Sequence, residues 1–172
     1  MKKQLTYIIA LLVLGLLGYL GFSVVTKLQE KKEIATRLGT LPEFSFQQLD
    51  DTSFSNANLK INTKTIFVYF NSTCDFCQHE AQSISENLDK FTDVQFLFVS
   101  VEEKSIIKQF AKKYNLNNKP NITFLHDNTD TFSNSFGANS IPYLLIYDAN
   151  GNLLKKHKGQ LNANGILKIL NP

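Results

Sequence analysis

From Leu41 onward the apolar residues switch repeatedly between a two-residue and a helical period, and each switch marks an element. FSFQQL (44–49) alternates and predicts a strand, followed by the turn residues Asp50-Asp51-Thr52-Ser53 and a short connection. TIFVYF (65–70) is a continuous β-rich run, the pattern of a strand buried on both faces. Residues 75–91 set Phe76, Ala81, Ile84, Leu88 and Phe91 at helical spacing. VQFLFVSV (94–101) predicts a second buried strand, and Ile106, Ile107, Phe110 and Ala111 predict a helix from Ser105 to Tyr114. ITFL (122–125) reads as a short strand and Asp130–Phe136 as a helical turn. YLLIY (143–147), the hairpin signal DANG and NLLKKHK predict two antiparallel strands, and residues 162–170 a closing helix. Strands alternating with helices predict an α/β fold, a mixed central sheet flanked by helices.

The first 40 residues follow another pattern. Tyr7 to Val25 is an uncharged apolar run of 19 residues, which at ~1.5 Å each just covers the ~30 Å hydrocarbon core of a bilayer. A cleaved signal peptide has a shorter apolar region and a small-x-small exit, absent here, so the run predicts an uncleaved N-terminal transmembrane anchor. Residues 26–40, TKLQEKKEIATRLGT, read as a charged juxtamembrane stalk ending near Gly39. The expected domains are therefore an anchor over 1–25, a stalk over 26–40 and a globular domain over 41–172.

Charge changes the picture only once it is located. Residues 1–39 carry six Lys/Arg against two acids, whereas residues 40–172 carry twelve Lys against thirteen acids. The basic excess sits beside the expected bilayer, where it meets anionic headgroups. The globular part has no electrostatic footprint for nucleic acid, and DNA or RNA is not expected as a partner. Lys2 and Lys3 favour a cytoplasmic amino terminus, but Lys27, Lys31, Lys32 and Arg37 on the other flank leave the orientation weakly specified by charge alone.

The only two cysteines, Cys74 and Cys77, lie in NSTCDFCQHE, directly after a buried strand and at the opening of a helix. A thiol there faces unpaired backbone N–H groups and the positive end of the helix dipole, which favour the thiolate. Cys77 lies about one turn further on the same face, a spacing that suits an attacking Cys74 and a resolving Cys77. A structural zinc site normally needs four ligands, and His79, His126 and His157 lack finger-type spacing. Covalent haem attachment fails because Gln78 stands where C-x-x-C-H needs histidine. Soft thiolates favour Cu(I), so a copper-binding and delivery protein is the alternative reading.

With Ile141-Pro142 ahead of a later buried strand, the sequence over roughly 41–170 resembles the thioredoxin-like superfamily. More closely it is similar to the membrane-anchored TlpA/ResA-type thiol-disulfide oxidoreductases. The residues carrying the resemblance are FSFQQL, TIFVYFNSTCDFC and SFGANSIPYLLIYDANGNLLKKHKG. It implies a thioredoxin-like fold, a redox-active Cys74–Cys77 disulfide, no cofactor, and a loop at Ile141 and Pro142, with Pro142 cis, lying against the cysteines and contacting substrate. It also implies that Glu80 borders the site and influences cysteine protonation. A solvent-facing glutamate on an early helical turn is equally well explained by the dipole. Implied partners are exported client proteins such as apocytochromes, held transiently as mixed disulfides, and a transmembrane thiol reductase as electron donor. Such a dithiol protein is of most use beyond the reach of cytosolic reducing systems, which places residues 26–172 on the periplasmic or extracytoplasmic side of the cytoplasmic membrane.

Departures qualify the resemblance. Asn71-Ser72-Thr73 stands where the family often has an aromatic residue, Asp75-Phe76 replaces a dipeptide with proline, and there is no Trp. Asp75 opposes a Cys74 thiolate by like charge, and His79 reads as a surface residue. Peroxiredoxins share the fold, with Thr or Ser three residues before the reactive cysteine, Pro seven before it, and a later Arg. Here those positions hold Asn71 and Phe67, and the only arginine is Arg37, so peroxide reduction is not expected.

Overall fold

The computed structural model describes the backbone of residues 2–171; side chains at 2–11 and 13 lie outside what is described. The chain forms two compact units, Met1–Thr36 and Arg37–Pro172. The first is the bulk of one helix, α1 (Lys2–Leu38). The expected span at Tyr7–Val25 therefore falls partly outside the described residues. Among the described residues no helix is long and apolar enough to cross a membrane.

The second unit starts earlier than the expected boundary at Leu41. Leu38 is fully buried, and the next residues pair with the turn after residue 147. Leu41 N donates to Gly151 O at 2.8 Å and Leu153 N to Gly39 O at 3.0 Å. Residues 37–40 thus belong to the globular unit rather than to a stalk. A polar composition concealed this, because a single apolar residue makes the contact.

The globular unit contains β1 (Ser45–Gln48), β2 (Ser53–Ser55), β3 (Lys64–Tyr69), α2 (Asp75–Glu86) and β4 (Val94–Ser100). It continues with α3 (Lys104–Lys113), β5 (Ile122–His126), α4 (Thr131–Phe136), β6 (Tyr143–Tyr147), β7 (Leu153–Lys158) and α5 (Ala163–Leu170). One seven-stranded sheet has the order β2-β1-β5-β4-β3-β6-β7. β3, β4 and β5 are parallel, while β6 and β7 run antiparallel at one side and β1 and β2 at the other. The expected mixed sheet is observed. β2 is too short to show a period and falls within the stretch the pattern reads as a turn and connection.

β3 is buried on both faces, as its unbroken apolar run requires. Ile66, Val68 and Phe70 join the core under α2, α3 and α5. Phe67 and Tyr69 face an aromatic layer with Phe44, Phe132 and Phe136. Phe132 and Phe136 stack with centroids 4.5 Å apart. With 14 Phe and no Trp, the chain packs this second layer with rings of one size.

α2 ends at Glu86, short of the expected 91. Asn87 Nδ2 takes the Ser83 carbonyl at 2.9 Å, which ends the backbone ladder, and a 3-10 turn follows at Leu88–Lys90. Phe76, expected on the apolar stripe, is instead 61% exposed.

Candidate active site

The sheet register brings the cysteines and the proline loop together. Tyr69 at the end of β3 pairs with Tyr143 at the start of antiparallel β6. Residues just after β3 and just before β6 therefore emerge at the same end of the sheet. Parallel β4 ends there too, with Tyr69 opposite Val99. Three segments, 70–74, 101–103 and 140–142, converge at this end.

Cys74 is the N-cap of α2, with extended backbone (φ −79°, ψ 114°). Its Sγ accepts the Cys77 backbone N–H at 3.4 Å, taking one of the donors a helix start leaves unpaired. The same Sγ lies 3.8 Å from the Ile141 carbonyl oxygen, to which the thiol donates. Cys74 is partly exposed and Cys77 buried, and both are free thiols. Burial pushes the Cys77 thiol well above its ordinary range, and its hydrogen bond with Cys74 adds to this. One sulfur is thus accessible at a helix tip, with the other enclosed behind it.

Ile141–Pro142 is a cis peptide bond, as the resemblance implies. Ile141 is exposed and Pro142 buried. The Pro142 carbonyl accepts from Gly159 N at 2.9 Å, tying the loop to the end of β7.

Glu80 is not solvent-facing, which removes the dipole-only account. It is fully buried one turn beyond Cys77. Oε1 accepts the Leu161 backbone N–H at 2.8 Å, and Oε2 has no partner. Burial outweighs that one hydrogen bond and pushes the carboxyl up to about 8. His79 is exposed, as expected.

Sequence reasoning missed Glu102. Its carboxylate accepts the Ser72 backbone N–H at 2.6 Å and the Ser72 hydroxyl at 2.7 Å. Gln78 Nε2 donates to the Ser72 carbonyl at 2.9 Å, and Asn71 Oδ1 accepts from Thr73 N and Oγ1. The loop before Cys74 is therefore held on several sides. The one available signal was an acid just past a strand parallel to β3, which becomes meaningful only once the register is known.

Among the described residues, no three His, Cys, Asp or Glu side chains gather in a metal-ligating group. Arg37, the only arginine, donates to the carbonyls of Ser135 at 2.7 Å and Asn134 at 3.4 Å, at the C-terminal end of α4. Its guanidinium is occupied there.

A family model described as AhpC/TSA family matches residues 39–156. No curated protein matches the chain in sequence. A secreted Mycobacterium tuberculosis disulfide oxidoreductase homologous to E. coli DsbE is similar in structure, at 21% identity and TM-score 0.63, covering 78% of this chain and 96% of that one. StoA from Bacillus subtilis is similar at 16% identity and TM-score 0.61, covering 77% and 99%. A thioredoxin-like protein from Aeropyrum pernix is similar at 15% identity and TM-score 0.63, covering 86% and 98%. At these identities the likeness establishes the fold, which is thioredoxin-like.

Proposed function

The chain belongs to the AhpC/TSA family, and from that premise we propose that it is a membrane-anchored, extracytoplasmic thiol-disulfide oxidoreductase. One observation carries the reading. An accessible sulfur caps a helix and faces the carbonyl of a cis-proline loop, with a second, buried sulfur one turn behind it. In the proposed cycle the Cys74 thiolate attacks a client disulfide and forms a mixed disulfide, releasing the first client thiolate. Cys77 then loses its proton and attacks Cys74 Sγ, releasing the second client thiolate. The client is reduced by two electrons and the protein leaves with a Cys74–Cys77 disulfide. Glu80, enclosed a turn beyond Cys77, is the proposed acceptor for the resolving proton.

Peroxide reduction is not proposed. Asn71 and Phe67 lack the family's hydroxyl and proline, and Arg37 is bound to α4.

Several observations support the compartment. From Tyr7 to Val25 α1 carries no charge, and it exposes Leu12, Leu14, Leu16, Leu17, Tyr19 and Phe22; an apolar surface of that kind suits hydrocarbon rather than water. The structural likeness includes a secreted disulfide oxidoreductase. Clients would then be exported proteins, and a transmembrane thiol reductase would supply electrons.

Cys77→Ala expressed in the native host tests the reaction. It is expected to accumulate a client on Cys74 as a mixed disulfide visible by mass spectrometry, with Cys74→Ala as the control. Stoichiometric copper after reducing purification, with no insulin reduction, would establish the metal-delivery alternative instead. Protease added to intact spheroplasts is expected to digest residues 37–172; protection would overturn the orientation.

A further inference from the structure

The surface around Cys74 has a chemical character that the cycle above leaves unused. Phe76, between the two cysteines, is 61% exposed, although α2 offers it a helical position where a polar residue would cost nothing. Ile141, whose carbonyl faces Cys74 Sγ, is 39% exposed, and Val101 just past β4 is 43% exposed. Apolar side chains thus sit in the dipeptide between the sulfurs, in the proline loop and at the end of β4.

The charges on the Phe76 and Val101 side of the sulfurs are mainly acidic. Asp75 follows Cys74 directly and is exposed. Glu102 bonds Ser72, two residues before Cys74, and Glu103 follows it at the start of α3. Among the described residues the one ion pair is Lys104 with Asp51, so none of these three acids is neutralised by a cation. His79 lies one helical turn beyond Asp75 and is exposed. On the other flank of the loop, β7 brings exposed Lys158 opposite Tyr143.

We propose that this face selects its clients: a disulfide in an accessible segment whose cysteine has an aromatic or aliphatic neighbour, seated against Phe76 and Ile141, and a basic residue facing Asp75, Glu102 and Glu103. The apolar neighbour removes exposed ring and methyl surface from water. The basic residue finds the exposed Asp75 and Glu103 carboxylates and the negative charge of Glu102, which is held by Ser72 and Ser100 but has no cation partner among the described residues. An acidic one at that place is repelled. The occupant is a protein chain because a polypeptide disulfide carries, beside the reacting sulfur, the apolar and basic neighbours that this face complements. The inference rests on the thiol-disulfide reading above, and it names the substrate class of that same site.

The test uses the full chain in detergent, reduced, with four oxidised substrates. Three are peptide disulfides of equal length, flanked at the reacting cysteine by Phe and Lys, by Ala and Ser, or by Phe and Glu. The fourth is hydroxyethyl disulfide, small and uncharged. Rates are read by acid quench, alkylation and mass measurement of oxidised protein.

The Phe/Lys peptide is expected to react about tenfold faster than the Ala/Ser peptide. It should outpace the Phe/Glu peptide by more, with that gap shrinking severalfold between about 0.02 and about 0.5 M salt. Phe76→Ser is expected to lower the ratio of Phe/Lys to hydroxyethyl disulfide rates about fivefold. Asp75→Asn with Glu103→Gln should narrow the Lys-over-Glu preference about threefold. All three sites are exposed, and circular dichroism of each variant beside the parent checks that it is folded. Equal rates for the three peptides, within about twofold, alongside turnover of hydroxyethyl disulfide, overturn the client assignment and leave the oxidoreductase standing. Failure of all four substrates overturns the oxidoreductase reading, and the client assignment with it.

Discussion

Glu80 carries its two oxygens into unequal surroundings: one accepts the Leu161 N–H and the other has no partner. Its carboxyl is raised from 4.5 to about 8 by burial, so the folded chain holds a proton there that the unfolded chain has already lost. The stabilisation is fully present below 4.5 and is lost as pH rises through about 8. Glu80→Gln keeps an acceptor for Leu161 N and removes the titration. Denaturant melts at pH 5 and pH 8.5 are expected to show the variant gaining on the parent by a few kcal/mol, with ~5 as the ceiling. The same proton governs the proposed resolving step. Release of a model thiol from a Cys74 mixed disulfide should accelerate with pH up to an inflection near 8, and Glu80→Gln should slow it and flatten that inflection. The burial was legible in hindsight: Cys77, Glu80, Ala81 and Ile84 fall at i, i+3, i+4 and i+7, the spacing of the buried stripe. By residue type alone a glutamate on that stripe suits the surface as well as the site, so the sequence leaves both accounts of Glu80 open and only the burial decides between them. Phe76 differs: it is core by type, but its place beside Cys77 turns it outward.

Elements were legible where they are long or flanked by turn chemistry, and illegible where side chains from elsewhere decide them. β3, β4 and β6 announce themselves as nearly continuous apolar runs because both their faces are covered. β2 has three residues and exists through its pairing with β1, which no period of that length can signal. α4 is held from outside its own span: the buried Asp127 accepts the Thr131 N–H at 3.0 Å and the Phe132 N–H at 2.6 Å. These are donors that a helix start leaves open. The element matters beyond its six residues, because it presents Phe132 and Phe136 to β3 and leads into the Ile141–Pro142 loop. Asp127→Ala leaves both N–H groups without their carboxylate and is expected to cost about 2 kcal/mol. Thermal unfolding checks this. Asp127→Asn, which retains an acceptor, should recover part of the loss.

At the scale of the whole molecule, the boundary between helix and domain is the part that sequence pattern placed worst. The charged residues ahead of Gly39 suggest a tether that ends before the fold begins. The contacts put the start of the fold at Arg37, because Leu38 is enclosed and residues 39–41 extend the β6–β7 hairpin. Arg37 adds its hydrogen bonds to the end of α4. The last turn of α1 is therefore a structural member of the globular unit. Two shortened chains separate this from the simple tether. One beginning at residue 37 retains Leu38, the pairing with Gly151 and Leu153, and Arg37 on α4. One beginning at residue 42 loses all of them while keeping every residue of the expected domain that lies in a strand or helix. Removing a buried leucine typically costs ~2–5 kcal/mol, and two backbone hydrogen bonds add ~1 kcal/mol each. The shorter chain is expected to unfold at least ~10 °C below the longer one by circular dichroism. Equal melting temperatures would return residues 37–41 to the tether and make the continuity of α1 with the domain incidental to its stability.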